Sequence, residues 1–228
     1  MGRTLTVGNP PIAVDLRASA RARRLSLRVS RLDGTVSLTV PRHAAEHEAL
    51  AFLREREGWL RGHLADVAAP QMVAAGAVIP YRGERIAITP ARVPRCVLDD
   101  GALLVPQGRA VAGSVKAFLQ ATARDVLAER SDHHAARVGR RYSRLVLRDT
   151  RSRWGSCSSA GQLMYSWRLI MAPPAVLDYV AAHEVAHLVE MNHAPAFWAV
   201  VARLVPDHAA QRAWLRRHGN DLHRVRFA

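Results

Sequence analysis

The stretch DYVAAHEVAHLVEMNHAPAFW (residues 178–198) places three histidines and two glutamates in a run that is otherwise mostly apolar. Burying an unpaired charge or an unsatisfied imidazole is costly, so the spacing of these groups needs a reason. His183-Glu184-Val185-Ala186-His187 spells HExxH. On an α-helix, residues four apart lie one turn above each other on the same face. Both imidazoles can therefore reach one ion, and Glu184 between them sits close enough to handle a proton. Tyr179, Val180, Val185 and Leu188 supply the apolar surface that buries such a helix, and Pro173-Pro174 suit its first turn.

A catalytic zinc site takes three protein ligands and leaves the fourth position to water. Two residues could complete the set. Glu190 shares the helical face, but seven residues past His183 means a rise of about 10 Å, too far along one continuous helix. His193 works if the helix stops first. Asn192 suits a left-handed helix-ending position, and Pro195 prevents simple continuation. The sequence therefore favours His183, His187 and His193 as ligands, with Glu184 as the proton carrier. In a chain with 11 histidines, HExxH arises by chance only about 0.02 times, so the motif is a specific signal.

Around this motif the chain of 228 residues is 49% hydrophobic, enough for a substantial core. It contains no run approaching the roughly eighteen apolar residues of a membrane span. The opening MGRTLTVGNPPIAVDLRAS lacks the layout of a secretory signal, and the reading is a soluble cytoplasmic protein. Cys96 and Cys157 are the only cysteines, read as free thiols and too few for a cysteine-type zinc site. The net charge is +14, carried by arginine with Lys116 as the single lysine. Arginine binds phosphate and carboxylate bidentately, so nucleic acid is a candidate partner; the arginines are nonetheless scattered, as a general basic composition would leave them.

Along the chain, RRLSLRVSRLDGTVSLTVP (23–41) alternates apolar and polar residues on both sides of Asp33-Gly34, which predicts a hairpin. A helix follows, with Leu50, Leu53, Leu60 and Leu64 on one face; residues 66–82 read as a loop. RIAITP, RCVLDD and ALLVP read as short strands, with Asp99-Asp100-Gly101 as a second hairpin turn. Helical spacing runs from Ser114 to about Val138 and ends at Gly139. LVLRD (145–149) and QLMYSWRLIM (162–171) read as strands joined by a charged turn, and helices are expected from Pro195 to Leu204 and over 207–219. The expected class is α+β: a strand-rich N-terminal part, 1–110, followed by 111–228, a zincin-like part with a small sheet and the HExxH helix.

RWGSCSSAGQLMYSWRLIMAPPAVLDYV (153–180) and HEVAHLVEMNHAPAFW (183–198) together resemble the signature of the YgjP-like zinc metallopeptidases, related to the SprT-like and minigluzincin groups. Residues 23–41 and PYRGERIAIT (80–89) match the same layout, so the resemblance covers nearly the whole chain. It implies Zn2+ held by His183, His187 and His193, with Glu184 as the catalytic glutamate. Ser166 stands where the family usually has asparagine, and Ala194 where serine commonly follows the third histidine. The spacing also equals that of metzincins, but Glu190 replaces their glycine and no Met-turn is evident.

The function expected is hydrolysis of a peptide or protein substrate by a zinc-activated water with Glu184 as general base. The strand at 163–169 is the expected substrate ledge, where a peptide could add to a sheet edge. Arg168 is either a contact for a substrate carboxylate or a solvated surface residue. Trp154, Trp167, Phe197 and Trp198 are expected to wall the site, and Cys157 to be structural or redox-sensitive. Tyr165, Tyr179, His208 and Arg168 all remain open as oxyanion donors. Two rival readings stand beside this one: a DNA-associated protease of SprT-like type, and a non-catalytic basic nucleic-acid-binding module with structural zinc. No membrane partner is expected.

Overall fold

The structure, a computed structural model, describes residues 3–30, 33–65, 67 and 69–227. It is of mixed α+β class and divides into two compact units, Met1–Pro70 and Gln71–Ala228.

In the first unit β1 (Arg3–Val7) and β2 (Ile12–Ser19) form an antiparallel pair; β3 (Ser26–Val29) and β4 (Val36–Pro41) form another. β2 and β4 run parallel, giving the order β1-β2-β4-β3. The hairpin expected around Asp33-Gly34 is present, with Leu27 opposite Leu38 and Val29 opposite Val36. Gly34 adopts φ +70°, the left-handed region that its lack of a Cβ permits; Arg31 and Leu32 lie outside the described residues. The first strand pair was not foreseen, because Gly8, Pro10 and Pro11 break the alternation between its strands. The helix is also split, into α1 (Glu46–Glu55) and α2 (Glu57–Ala65), about Arg56. Leu53 and Leu60 pack with Val14, Val36 and Leu38 to close this unit's core.

The second unit begins with β5 (Gln71–Met72) and β6 (Val78–Tyr81), inside the segment expected to be a loop. β7 (Glu84–Ala91), β8 (Val97–Asp99) and β9 (Ala102–Pro106) complete a four-stranded sheet of order β6-β7-β9-β8. Asp100 and Gly101 both take positive φ, the requirement of a tight hairpin turn at the expected place. Next come α3 (Val111–Val138), β10 (Arg144–Arg148), β11 (Gly155–Cys157), β12 (Gln162–Ser166) and a 3-10 turn over Trp167–Met171. They are followed by α4 (Pro174–Ala186), α5 (Pro195–Leu204), α6 (His208–Arg224) and β13 (Val225–Arg226), which pairs with β5. Gly139 ends α3 in the left-handed conformation, φ 64°.

Two expectations change here. Ile79, Ile86, Ile88, Leu103 and Val105 share one core with Val115, Leu119 and Leu127 of α3 and with Val180 of α4. That shared core carries residues 71–110 into the second unit, so the boundary falls at Pro70 and not near residue 110. The second change concerns the sheet that supports the site. Its order is β10-β12-β11, so β12 is paired on both sides and offers no free edge. The strand also stops at Ser166, where the chain turns into the 3-10 segment. β11, hidden within what read as a charged turn, is one of the two edge strands, β10 being the other.

Candidate metal centre

Helix α4 is buried nearly all round: Val176, Leu177, Tyr179, Val180, Ala181, Ala182, Val185 and Ala186 all lie in the core. Such a helix is an internal element that packs on several neighbours. It packs against α3, α5, α6 and β11. The helix that carries the histidines and Glu184 of HExxH is thus held by packing, with Glu184 itself buried.

The helix ends earlier than expected. Leu188 N–H and Val189 N–H bond to Val185 and Ala186 at 2.9 and 3.0 Å, tightening the last turn just past His187. Asn192 does not take a left-handed conformation; its Oδ1 accepts the Ala194 N–H at 3.0 Å instead, setting the turn into α5. This reversal returns His193 to the helix face. Its Nε2 lies 3.2 Å from His183 Nε2, and one nitrogen each from His183, His187 and His193 fall within 4.8 Å of one another.

The 3.2 Å between the His183 and His193 Nε2 atoms suits a shared ion, and the three nitrogens could hold one. Two ligands of a tetrahedral zinc at about 2.05 Å stand about 3.3 Å apart. His187 Nδ1–H donates to the Glu190 carbonyl oxygen at 3.0 Å, which turns Nε2 and its lone pair toward the cluster. Burial, with the other histidines adding, lowers His183 to about 3, and burial lowers His187 as well. Both rings are therefore neutral at ordinary pH, as ligation requires. His193 is exposed, so the cluster opens to solvent. Glu190, the rival third ligand, serves through its main chain only.

Glu184 is buried, and burial pushes its carboxyl up to about 8, with Arg153 pulling it back. Gly155 makes room for it: a Cβ there would stand 2.5 Å from Glu184 Oε1 and 2.6 Å from Cγ. Cys157, two residues along the same strand, is a free thiol. Burial and then the Glu184 charge push it up to about 11, so it supplies no thiolate.

The aromatic residues divide. Phe197 is fully buried and stacks on His187 at 4.5 Å, with its edge or face toward the other two imidazoles. Trp198 lies 5.9 Å from both His183 and His193. Trp154 stacks on His223 and Trp167 packs on Phe227.

Arg168 fits neither of its expected readings. It is buried, donates to both carboxylate oxygens of Asp149 at 2.6 and 3.2 Å, and gives Nη1 to the carbonyls of Leu222 and Val225 at 2.9 Å. It clamps the end of α6 and cannot meet a substrate. Tyr165 is likewise spent: its hydroxyl lies 3.0 Å from Ser131 Oγ inside the core. Of the open oxyanion donors, Tyr179 lies 5.9 Å from the His183 ring, and His208 stacks on Trp198. Arg212 was missed; its guanidinium sits 4.9 Å over Trp198 and its charge reaches His183 and Tyr179. The signal was available, since His208 and Arg212 are four apart on α6 and share a face.

A family model described as YgjP-like, metallopeptidase domain, matches residues 23–218. The chain belongs to that family. No curated protein and no solved structure matches it. A YgjP-like metallopeptidase domain implies a divalent metal, and the cluster of His183, His187 and His193 could hold one. Among the described residues no helix is long and apolar enough to cross a membrane.

Proposed function

We propose that this YgjP-like chain is a zinc-dependent peptidase in which His183, His187 and His193 hold the ion and Glu184 acts as general base. The observation that carries the reading is the convergence of three imidazole nitrogens within 4.8 Å, with a buried carboxyl one residue from the first of them. Imidazole donors suit zinc, and three of them leave a coordination position free. Zinc held there would supply a Lewis acid that brings the pKa of water toward neutrality and polarises a scissile carbonyl.

The chain's own groups then have distinct tasks. The Glu190 carbonyl sets the tautomer and orientation of His187. Phe197 fixes the ring planes by packing. A divalent charge beside Glu184 favours its ionised form, opposing the rise caused by burial. Its carboxylate can accept a proton from the attacking water and return it to the leaving amine. β11 offers an edge that a peptide can extend by main-chain hydrogen bonds, and Gly155 on that strand touches Glu184.

The test compares wild type with Glu184→Gln. The wild type should bind one zinc per chain and cleave denatured casein in a chelator-sensitive way. The variant should keep the zinc and lose turnover by about 1,000-fold or more, within the range of general acid–base effects and their coupling. Normal cleavage by the variant, or by metal-free protein, would remove the mechanism.

A further inference from the structure

Beside His187 lies a cavity of about 330 Å3 between the turn after β11 and the turn after α4. Arg140, Arg141, Ser158 and Ser159 line one part of it; His187 and Met191 line another. Its lining contains two guanidinium groups and no carboxylate. Arg140 and Arg141 are both exposed, and among the described residues neither side chain makes an ion pair or hydrogen bond. Asp132, which lines the adjoining cavity together with both arginines, accepts the Tyr142 hydroxyl at 2.6 Å and makes no ion pair with either.

Arg140 and Arg141 follow the Gly139 cap of α3, and both are open to solvent. Adjacent guanidinium groups offer forked donors matched to a carboxylate. Apolar side chains add to the lining, with Met191 and Val189 among the exposed large hydrophobic residues. A charged head with a short methylene stem fits such a lining. The volume lies at the low end for ligand pockets and suits a side chain more than a nucleotide tract. Position decides the rest. Ser158 and Ser159 directly follow β11 and line this cavity, so a peptide paired along that edge would pass close to it.

We infer that this cavity is a specificity subsite in which Arg140 and Arg141 receive an acidic side chain of the peptide substrate close to the bond that is cut. The assignment rests on the peptidase reading for its meaning, but binding can be measured without turnover.

The experiment uses the full chain carrying Glu184→Gln, loaded with zinc, and C-terminally amidated peptide libraries in which one position is fixed as Glu or as Gln. Fluorescence anisotropy should show about tenfold tighter binding of the Glu library at one position, and the difference should vanish in an Arg140→Ala/Arg141→Ala background. Zinc content of one per chain in that background confirms that the site still folds. No Glu-over-Gln difference, or one that survives loss of both arginines, overturns the inference. Tighter binding of free-acid than amidated Gln peptides, with no Glu effect, overturns it in favour of a terminal carboxylate. Salt-sensitive binding of an oligonucleotide through the two arginines, without a Glu effect, overturns it in favour of nucleic acid. A Glu effect lost with the arginines, in a protein whose wild type cleaves neither library, supports the subsite while the peptidase reading fails.

Discussion

Gly155 and Glu184 fit together as a socket and its occupant: a Cβ on the glycine would stand 2.5 Å from the glutamate's Oε1 and 2.8 Å from its Cδ. The edge strand thereby sets where the proposed general base can sit. In Gly155→Ala, the carboxyl must move while the three histidines are untouched. Cleavage should fall by about 100-fold or more, since small displacements of a reacting group cost that much. Zinc content should stay at one per chain. Full activity in this variant would mean that Glu184 tolerates displacement and has no exacting role.

The third ligand can be tested against its rival. His193→Ala should weaken zinc binding by about 100-fold or more, beyond the range of outer-shell changes. Glu190→Ala should leave it within about twofold, because Glu190 acts through its carbonyl oxygen. Competition with a chromogenic chelator measures both. The opposite order of effects would reassign the ligand.

Arg168 should govern stability. Replacing it by Met strips donors from two carbonyls and from Asp149, whose carboxyl Arg168 holds down against its partial burial. The loss should be about 3 kcal/mol in denaturant unfolding. Arg168→Lys should rescue only part, since an ammonium cannot bridge both carboxylate oxygens as a guanidinium does.

His223 makes stability depend on pH. Burial against Trp154, then the charge of Arg168, hold its pKa down at about 4. Unfolded histidine has a pKa of about 6.5. Above that value both states are neutral and the full stability is present. As pH falls from about 6.5 to about 4, the unfolded chain takes up a proton that the folded chain refuses, and stability declines by about 3 kcal/mol. Below about 4 this contribution is level. Unfolding midpoints across that window, with chelator present throughout, should slope less steeply in His223→Phe, which keeps the stack on Trp154. An unchanged slope would show that His223 is not the group responsible.

A local motif carries its own geometry, which is why HExxH pointed to two imidazoles on one helical face and why Pro195 signalled a turn that returns His193, although Asn192 serves that turn through its side chain and not through a left-handed backbone. Helices α3 and α5 and the hairpin at Asp100-Gly101 were equally legible, because period and turn chemistry act over a few residues. What lay beyond the sequence depends on contacts between distant segments. Pairing of β12 with β10, the Gly155 socket and the burial of Arg168 each join residues separated in the chain, while the three-residue β11 is too short to show a period. No local pattern reports such partners: a short strand between charged residues looks like a turn, and an arginine with a distant aspartate looks solvated. The sequence by itself determined which groups could grip an ion, and only the tertiary structure decided which edge, which glycine and which arginines surround them. Long-range packing supplies the partners, and partners decide whether a polar group is spent inside the fold or left for a ligand.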